Sequence, residues 1–166
     1  MSETQMLELD DNAAAAGFRM PAEWAPHERT WMIWPCRREV WGDLFAETCA
    51  DYAAVARTIA GYEPVKMIVN PGDAAAARAM LGETVEILPL PADDSWARDC
   101  GPNFLLDGAG RLAGSTFRFN AWGGKYHPFD RDDALGGLSL EQCRAPAFPC
   151  ALTAEGGGIS VDGEGT

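Results

Sequence analysis

Two successive strand–helix–strand alternations predict an α/β fold for this chain of 166 residues. The first runs from TWMIW (30–34), a short apolar run between Pro26 and Pro35, through a helical pattern over 43–60 to VKMIV (65–69). The second runs from VKMIV through an Ala-rich helix over 73–81 to VEILPL (85–90). Composition agrees. Hydrophobic residues make up 47% and charged residues 23% of 17.9 kDa, which suits one ordinary domain with a buried core.

Residues 1–16 are acidic and then Ala-rich, and read as a loose arm ending near Gly17. The domain proper is expected over 17–166. In the first helix Leu44, Phe45, Cys49, Tyr52, Val55, Ala56 and Ile59 recur at helical spacing, with Asp43 as the expected N-cap and Gly61 as the stop. Asn70-Pro71-Gly72 turns the chain, and Asp73 is placed to cap the second helix. FLLD, the glycine turn 108–110 and RLAGSTFRF read as a β-hairpin. Segment 130–148 reads as acidic and irregular, with a partial helix over 132–140. ISVDGEGT (159–166) reads as a strand running into a turn.

The net charge of −12 argues against nucleic acid or an anionic membrane surface as partner, because both require a basic face. It admits a cationic small molecule. Met1 to Asp10 lacks a basic start and an apolar signal core, no run approaches the length of a membrane span, and a cytoplasmic location is expected. The cysteines Cys36, Cys49, Cys100, Cys143 and Cys150 are odd in number and widely spaced, so reduced thiols are expected in place of a disulfide framework or zinc ribbon.

Several chemical signals fail on spacing or context. Gly108, Gly110 and Gly114 miss the dinucleotide interval and sit in a hairpin. Asp130, Asp132 and Asp133 precede Leu135 where a calcium loop needs glycine, so a solvated acidic loop is expected. His27 reads as a structural histidine in a Trp-rich segment, and His127, before a proline in a loop, as structural or exposed. Cys100 sits beside Asp99, whose charge opposes thiolate formation, and reads as a buried thiol.

The loop 93–99 stands apart. It carries three aspartates, one arginine and one tryptophan directly after a strand, where α/β folds place ligands. A carboxylate accepts two parallel N–H bonds from a planar cation, and an indole face adds cation–π attraction. Asp99 and Trp96 form such a pair. The competing reading is a turn in which Asp93 and Asp94 cap backbone amides and Arg98 neutralises Asp99. Glu155, before three glycines, is either a second ligand carboxylate or part of a flexible turn.

Four blocks in order, MPAEWAPHERTWMIWP (20–35), DDSWARDCGP (93–102), FRFNAWGGKYHPFD (117–130) and AEGGGISVDGEGT (154–166), make the chain resemble the agmatine deiminase family within the bacterial-type peptidyl-arginine deiminases. The resemblance implies a five-bladed α/β-propeller of the guanidine-modifying type, of which this chain would form about two units. It implies hydrolysis of agmatine to N-carbamoylputrescine and ammonia in polyamine biosynthesis, through a cysteine nucleophile and a histidine acid/base, without metal or organic cofactor. By motif, Asp99 is a catalytic and guanidinium-binding residue, Trp96 flanks the substrate, and Glu155 is a second guanidinium contact. The nucleophile and the acid/base belong to family motifs beyond Thr166, so this segment alone is expected to be inactive. Ser160 stands where the family often has histidine, a position not read as the acid/base.

Two further readings stay open. Arginine in peptides is an alternative substrate. A non-catalytic module that binds guanidinium or polyamine cations, or a structural fragment, is an alternative role. A complete small domain would leave its last strand exposed, to be covered by a homo-oligomer.

Overall fold

The computed structural model describes residues 12–165. The strands are β1 (Phe18–Arg19), β2 (Thr30–Ile33), β3 (Val65–Val69), β4 (Val85–Pro89), β5 (Asn103–Asp107), β6 (Leu112–Arg118) and β7 (Ala147–Thr153). The helices are α1 (Arg38–Trp41), α2 (Phe45–Ile59), α3 (Ala74–Leu81), α4 (Ala97–Cys100), α5 (Ala121–Gly124) and α6 (Asp130–Cys143). Of these α5 is helical in hydrogen bonding only, because Ala121, Trp122, Gly123 and Gly124 all have positive φ.

The expected alternation builds a parallel three-stranded sheet, β2-β3-β4, with Met32 opposite Met67 and Met67 opposite Ile87. Strands alternate their side chains between faces, so each face acquires its own core. On one face Val65, Met67 and Val69 pack with Cys49, Ala53 and Ala56 of α2 and with Ala77 and Leu81 of α3. On the other, Ile33 and Ile68 meet Cys100, Phe119 and Leu135. The second sheet has the order β1-β5-β6-β7. The β5–β6 hairpin is antiparallel, and α6 carries the chain over to β7, parallel to β6. A third cluster, Phe18, Leu105, Ala113 and Phe148, packs with Ala13 and Ala16.

Several expectations need correction. Neither Asp43 nor Asp73 caps a helix through its side chain: Asp43 lies inside a 3-10 turn (Gly42–Leu44), and Asp73 occupies the N-cap position of α3 without a side-chain bond. The partial helix over 132–140 is longer, Asp130–Cys143. Residues 159–166 do not form a strand through Gly165. The chain makes a 3-10 turn at Gly156–Gly158, and Gly163 adopts φ 81°, with its carbonyl accepting a 2.7 Å bond from Arg19 Nη1. Thr166 and residues 1–11, on which most of the expected arm falls, lie outside the described residues. Local pattern predicts neither the two-residue β1 nor the seven-residue β7. Its Pro149 argues against a strand, yet proline is tolerated at an edge, and β7 is the edge of its sheet among the described residues.

Candidate functional site

The loop 93–96 leaves the carboxyl end of β4 and enters α4. Asp93 and Asp94 are both buried and do not face solvent. The Asp94 Oδ1 accepts the Ser95 amide at 2.8 Å, and the Asp93 Oδ2 accepts the Arg131 amide at 2.9 Å. The amides of Asp93 and Asp94 donate in turn to Asp132 Oδ1, at 2.7 and 3.2 Å. The expectation of a solvated acidic loop at 130–133 fails for Asp132, and the segment is the first turn of α6, while Asp130 and Asp133 are exposed as expected. Asp132 is buried, and Asp133 Oδ1 accepts the Phe119 amide at 2.6 Å. The first turn of α6 takes these carboxylates because free amides elsewhere need acceptors.

Burial raises the Asp132 pKa to about 6, opposed by the two amides it accepts and aided by the charges of Asp93 and Asp94. Unfolded, the same carboxyl titrates near pH 3.9. Between those values the folded state holds a proton that the unfolded chain lacks, so this group's contribution to stability rises as pH falls through that window. Above it the charged, buried form carries its full cost. Urea unfolding is expected to show Asp132→Asn gaining on the wild type as pH rises from about 4 to about 6, with little further change above that. A pH-independent difference would refute the assignment.

The turn reading of the loop is half right. The carboxylates of Asp93 and Asp94 do cap amides, but Arg98 does not neutralise Asp99. Its two terminal nitrogens pair with Glu23, at 3.0 and 2.9 Å. Asp99 is half-buried in α4, and its Oδ1 accepts the Gly157 amide at 3.2 Å. Among the described residues no cation pairs with it. It lines a cleft of about 300 Å³ with Trp96, Ser95, Tyr52, Val55 and Trp31.

Trp96 is 39% exposed at this cleft. Its ring stacks on Trp41 (centroids 6.5 Å apart, planes at 26°) and meets Trp122 edge-on (5.8 Å, 88°). Trp122 in turn touches Phe119 and Tyr126 edge-on. Trp122 reaches this place on the left-handed turn α5, where Asn120 Oδ1 accepts the Gly123 amide at 2.8 Å. Such backbone is costly for a residue with a Cβ and persists where surrounding contacts hold it. Neither Trp41 nor Trp122 was picked out from sequence, since nothing local marks them as neighbours of Trp96.

Glu155 is half-buried and is not among the cleft-lining residues. Its link to Asp99 runs through the glycines that follow it. Gly156 lies against the Arg98 carbonyl and Gly157 against the Asp99 carboxylate, so closely that a Cβ at either would overlap them. The glycine turn thus packs on α4 and joins segments 58 positions apart.

All five cysteines are free thiols. Burial pushes Cys36 up to about 12, helped by Asp132, Asp94 and Asp93, and pushes Cys100 higher, helped by Asp132, Asp99 and Asp94. Cys49 and Cys143 are also raised by burial. None of these four is poised as a thiolate. His27 Nδ1 sits 3.4 Å from Glu63, and His127 is exposed, so neither belongs to the cleft. Among the described residues no group of three His, Cys, Asp or Glu side chains could hold a metal ion, and no helix is long and apolar enough to cross a membrane.

The fold and site define an α/β protein with a carboxylate in an aromatic cleft at a strand's carboxyl end. Residues 19–166 match the model of the Porphyromonas-type peptidyl-arginine deiminases, and the chain belongs to that family. It is 44% identical to the agmatine deiminase of Pseudomonas fluorescens over 168 residues, covering 97% of this chain and 45% of that protein. It is likewise 44% identical to the agmatine deiminase of Pseudomonas aeruginosa, covering 92% of this chain and 43% of that one. The solved agmatine deiminase of Enterococcus faecalis superposes with a TM-score of 0.89 at 33% identity, over 92% of this chain and 43% of that structure. The chain thus spans less than half the length of the relatives it matches.

Proposed function

We propose that the protein carrying this chain is an agmatine deiminase, hydrolysing agmatine and water to N-carbamoylputrescine and ammonia, and that this segment supplies part of its guanidinium site. The observation that carries the reading is Asp99: a half-buried carboxylate beside an exposed indole, while the neighbouring Arg98 is engaged by Glu23. A guanidinium is a poor electrophile. A carboxylate accepting from two of its nitrogens fixes the central carbon for attack and keeps it cationic. Asp99 takes that role, with Glu155 as a second contact and Trp96 as the stacking face.

In the reaction so read, a thiolate adds to the guanidinium carbon and a histidine delivers the proton with which ammonia leaves. Water then hydrolyses the thiouronium, returning the thiol and releasing the urea product. By the family resemblance the thiolate and the histidine belong to motifs outside this segment, which is consistent with the burial-raised thiols of Cys36, Cys49, Cys100 and Cys143. The product is a precursor of putrescine, which places the activity in polyamine biosynthesis. The propeller with five units is the architecture this reading entails for the whole protein.

The family model also describes proteins acting on peptidyl-arginine, which makes that substrate the second reading. The deciding measurement is ammonia release by the whole protein from agmatine and from an arginine-containing peptide. Turnover of agmatine and not of the peptide is expected. Turnover of the peptide alone would select the second reading, and binding of agmatine without turnover would make the protein a cation-binding module.

A further inference from the structure

Arg37 lies between β2 and α1, in neither, and is 5% exposed. Its guanidinium meets two segments far apart in sequence. Nη1 donates to the His127 carbonyl at 2.9 Å, and Nη2 donates to that of Pro128. Nε lies 3.2 Å from Asp94 Oδ2, an ion contact without hydrogen-bond alignment, and both partners are almost wholly buried. The Tyr126 ring lies 5.8 Å from the guanidinium carbon, and Glu39 lies 3.7 Å from Nη1 at the rim. Asp94 also accepts the Ser95 amide, next to Trp96, and its own amide is held by Asp132.

One cation therefore joins the loop that presents Trp96 to the segment that presents Trp122 and Tyr126. Folding alone does not demand it, because a buried ion pair is often no better than well-packed apolar side chains. Its particular capacity is geometric: a planar fork holds two carbonyls at fixed directions while its charge sits against the Asp94 carboxylate, a combination a lysine cannot reproduce.

We propose that Arg37 is a positioning residue of the cleft: by tying Asp94 to the carbonyls of His127 and Pro128, it sets the edge-on approach of Trp122 to Trp96 and so fixes the indole face beside Asp99. The functional half of this inference rests on the reading of Asp99 and Trp96 as guanidinium contacts. The geometric half does not.

The test uses the whole protein with Arg37→Lys, and with Asp94→Asn as a second variant that keeps the guanidinium and both carbonyl bonds. The near-ultraviolet circular dichroism of the paired indoles, assigned by its loss in Trp122→Phe, reads the geometry directly. Arg37→Lys is expected to lose about half or more of that signal with unchanged far-ultraviolet spectrum, and to raise KM for agmatine about tenfold with kcat within about threefold. A merely structural arginine would lower the unfolding midpoint and move neither readout, and that result in a folded variant would overturn the proposal. If Arg37→Lys does not fold, Asp94→Asn is read by the same criteria. A wild type that ignores agmatine would sink the substrate reading, while the indole signal would still decide the role of Arg37.

Discussion

Replacing Asp99 with asparagine is expected to lower kcat/KM for agmatine by about two to four orders of magnitude, the equivalent of about 3–5 kcal/mol for unpairing a partly desolvated ion pair. The change keeps size and one acceptor oxygen, so the bond from the Gly157 amide can persist. It removes the charge and the second acceptor that a planar cation needs. Arg98→Gln is the matched control from the same turn of helix. Its pair with Glu23 is solvent-exposed, and such pairs contribute about 0–1 kcal/mol, so near-wild-type kinetics are expected. Ammonia release under steady-state conditions measures both. An Asp99→Asn enzyme within about threefold of the wild type would remove Asp99 from the guanidinium site.

Gly156→Ala is expected to be the most damaging single methyl group in the chain's final segment. The added Cβ would overlap the Arg98 carbonyl and approach Asn103 Oδ1 to 3.1 Å, and both belong to elements fixed by their own hydrogen bonds. The turn must then lift from α4. Overpacking of this kind costs about 1–3 kcal/mol, and here it also withdraws the Gly157 amide from Asp99. Stability and agmatine KM should therefore move together. Gly158→Ala meets open space and is expected to be near neutral in both. Urea unfolding together with KM measurement separates the cases, and a stable Gly156→Ala variant with wild-type KM would show that the turn does not brace Asp99.

Much of the fold is legible from local pattern. VKMIV forms β3 over Val65–Val69 as read, because five apolar-rich residues flanked by turn residues have few other uses in an α/β chain. The helix over Phe45–Ile59 and the β5–β6 hairpin follow equally from periodicity and turn glycines. ISVDGEGT misled for a related reason. Its alternating Ile159 and Val161 imitate a strand, but Gly163 and Gly165 take positive φ and the segment is held by Arg19 instead of a neighbouring strand. β7 was hidden by the reverse effect, as Pro149 masks an edge strand that needs few donors.

The charged residues divide along the same line. The sequence alone determined the alternation of elements, the isolation of the thiols and the crowding of Asp99 and Trp96 after β4, since each depends on residues within one turn or one strand of each other. Only the tertiary structure decided the partners: Arg98 with Glu23, Asp132 with the Asp93 and Asp94 amides, Trp96 with Trp122, and Arg37 with two segments at once. Those contacts join positions tens of residues apart, and a carboxylate bound for solvent has the same local signature as one bound for a buried amide. Which it becomes depends on where the packed sheets leave an unsatisfied donor, and that place exists only once the chain has folded.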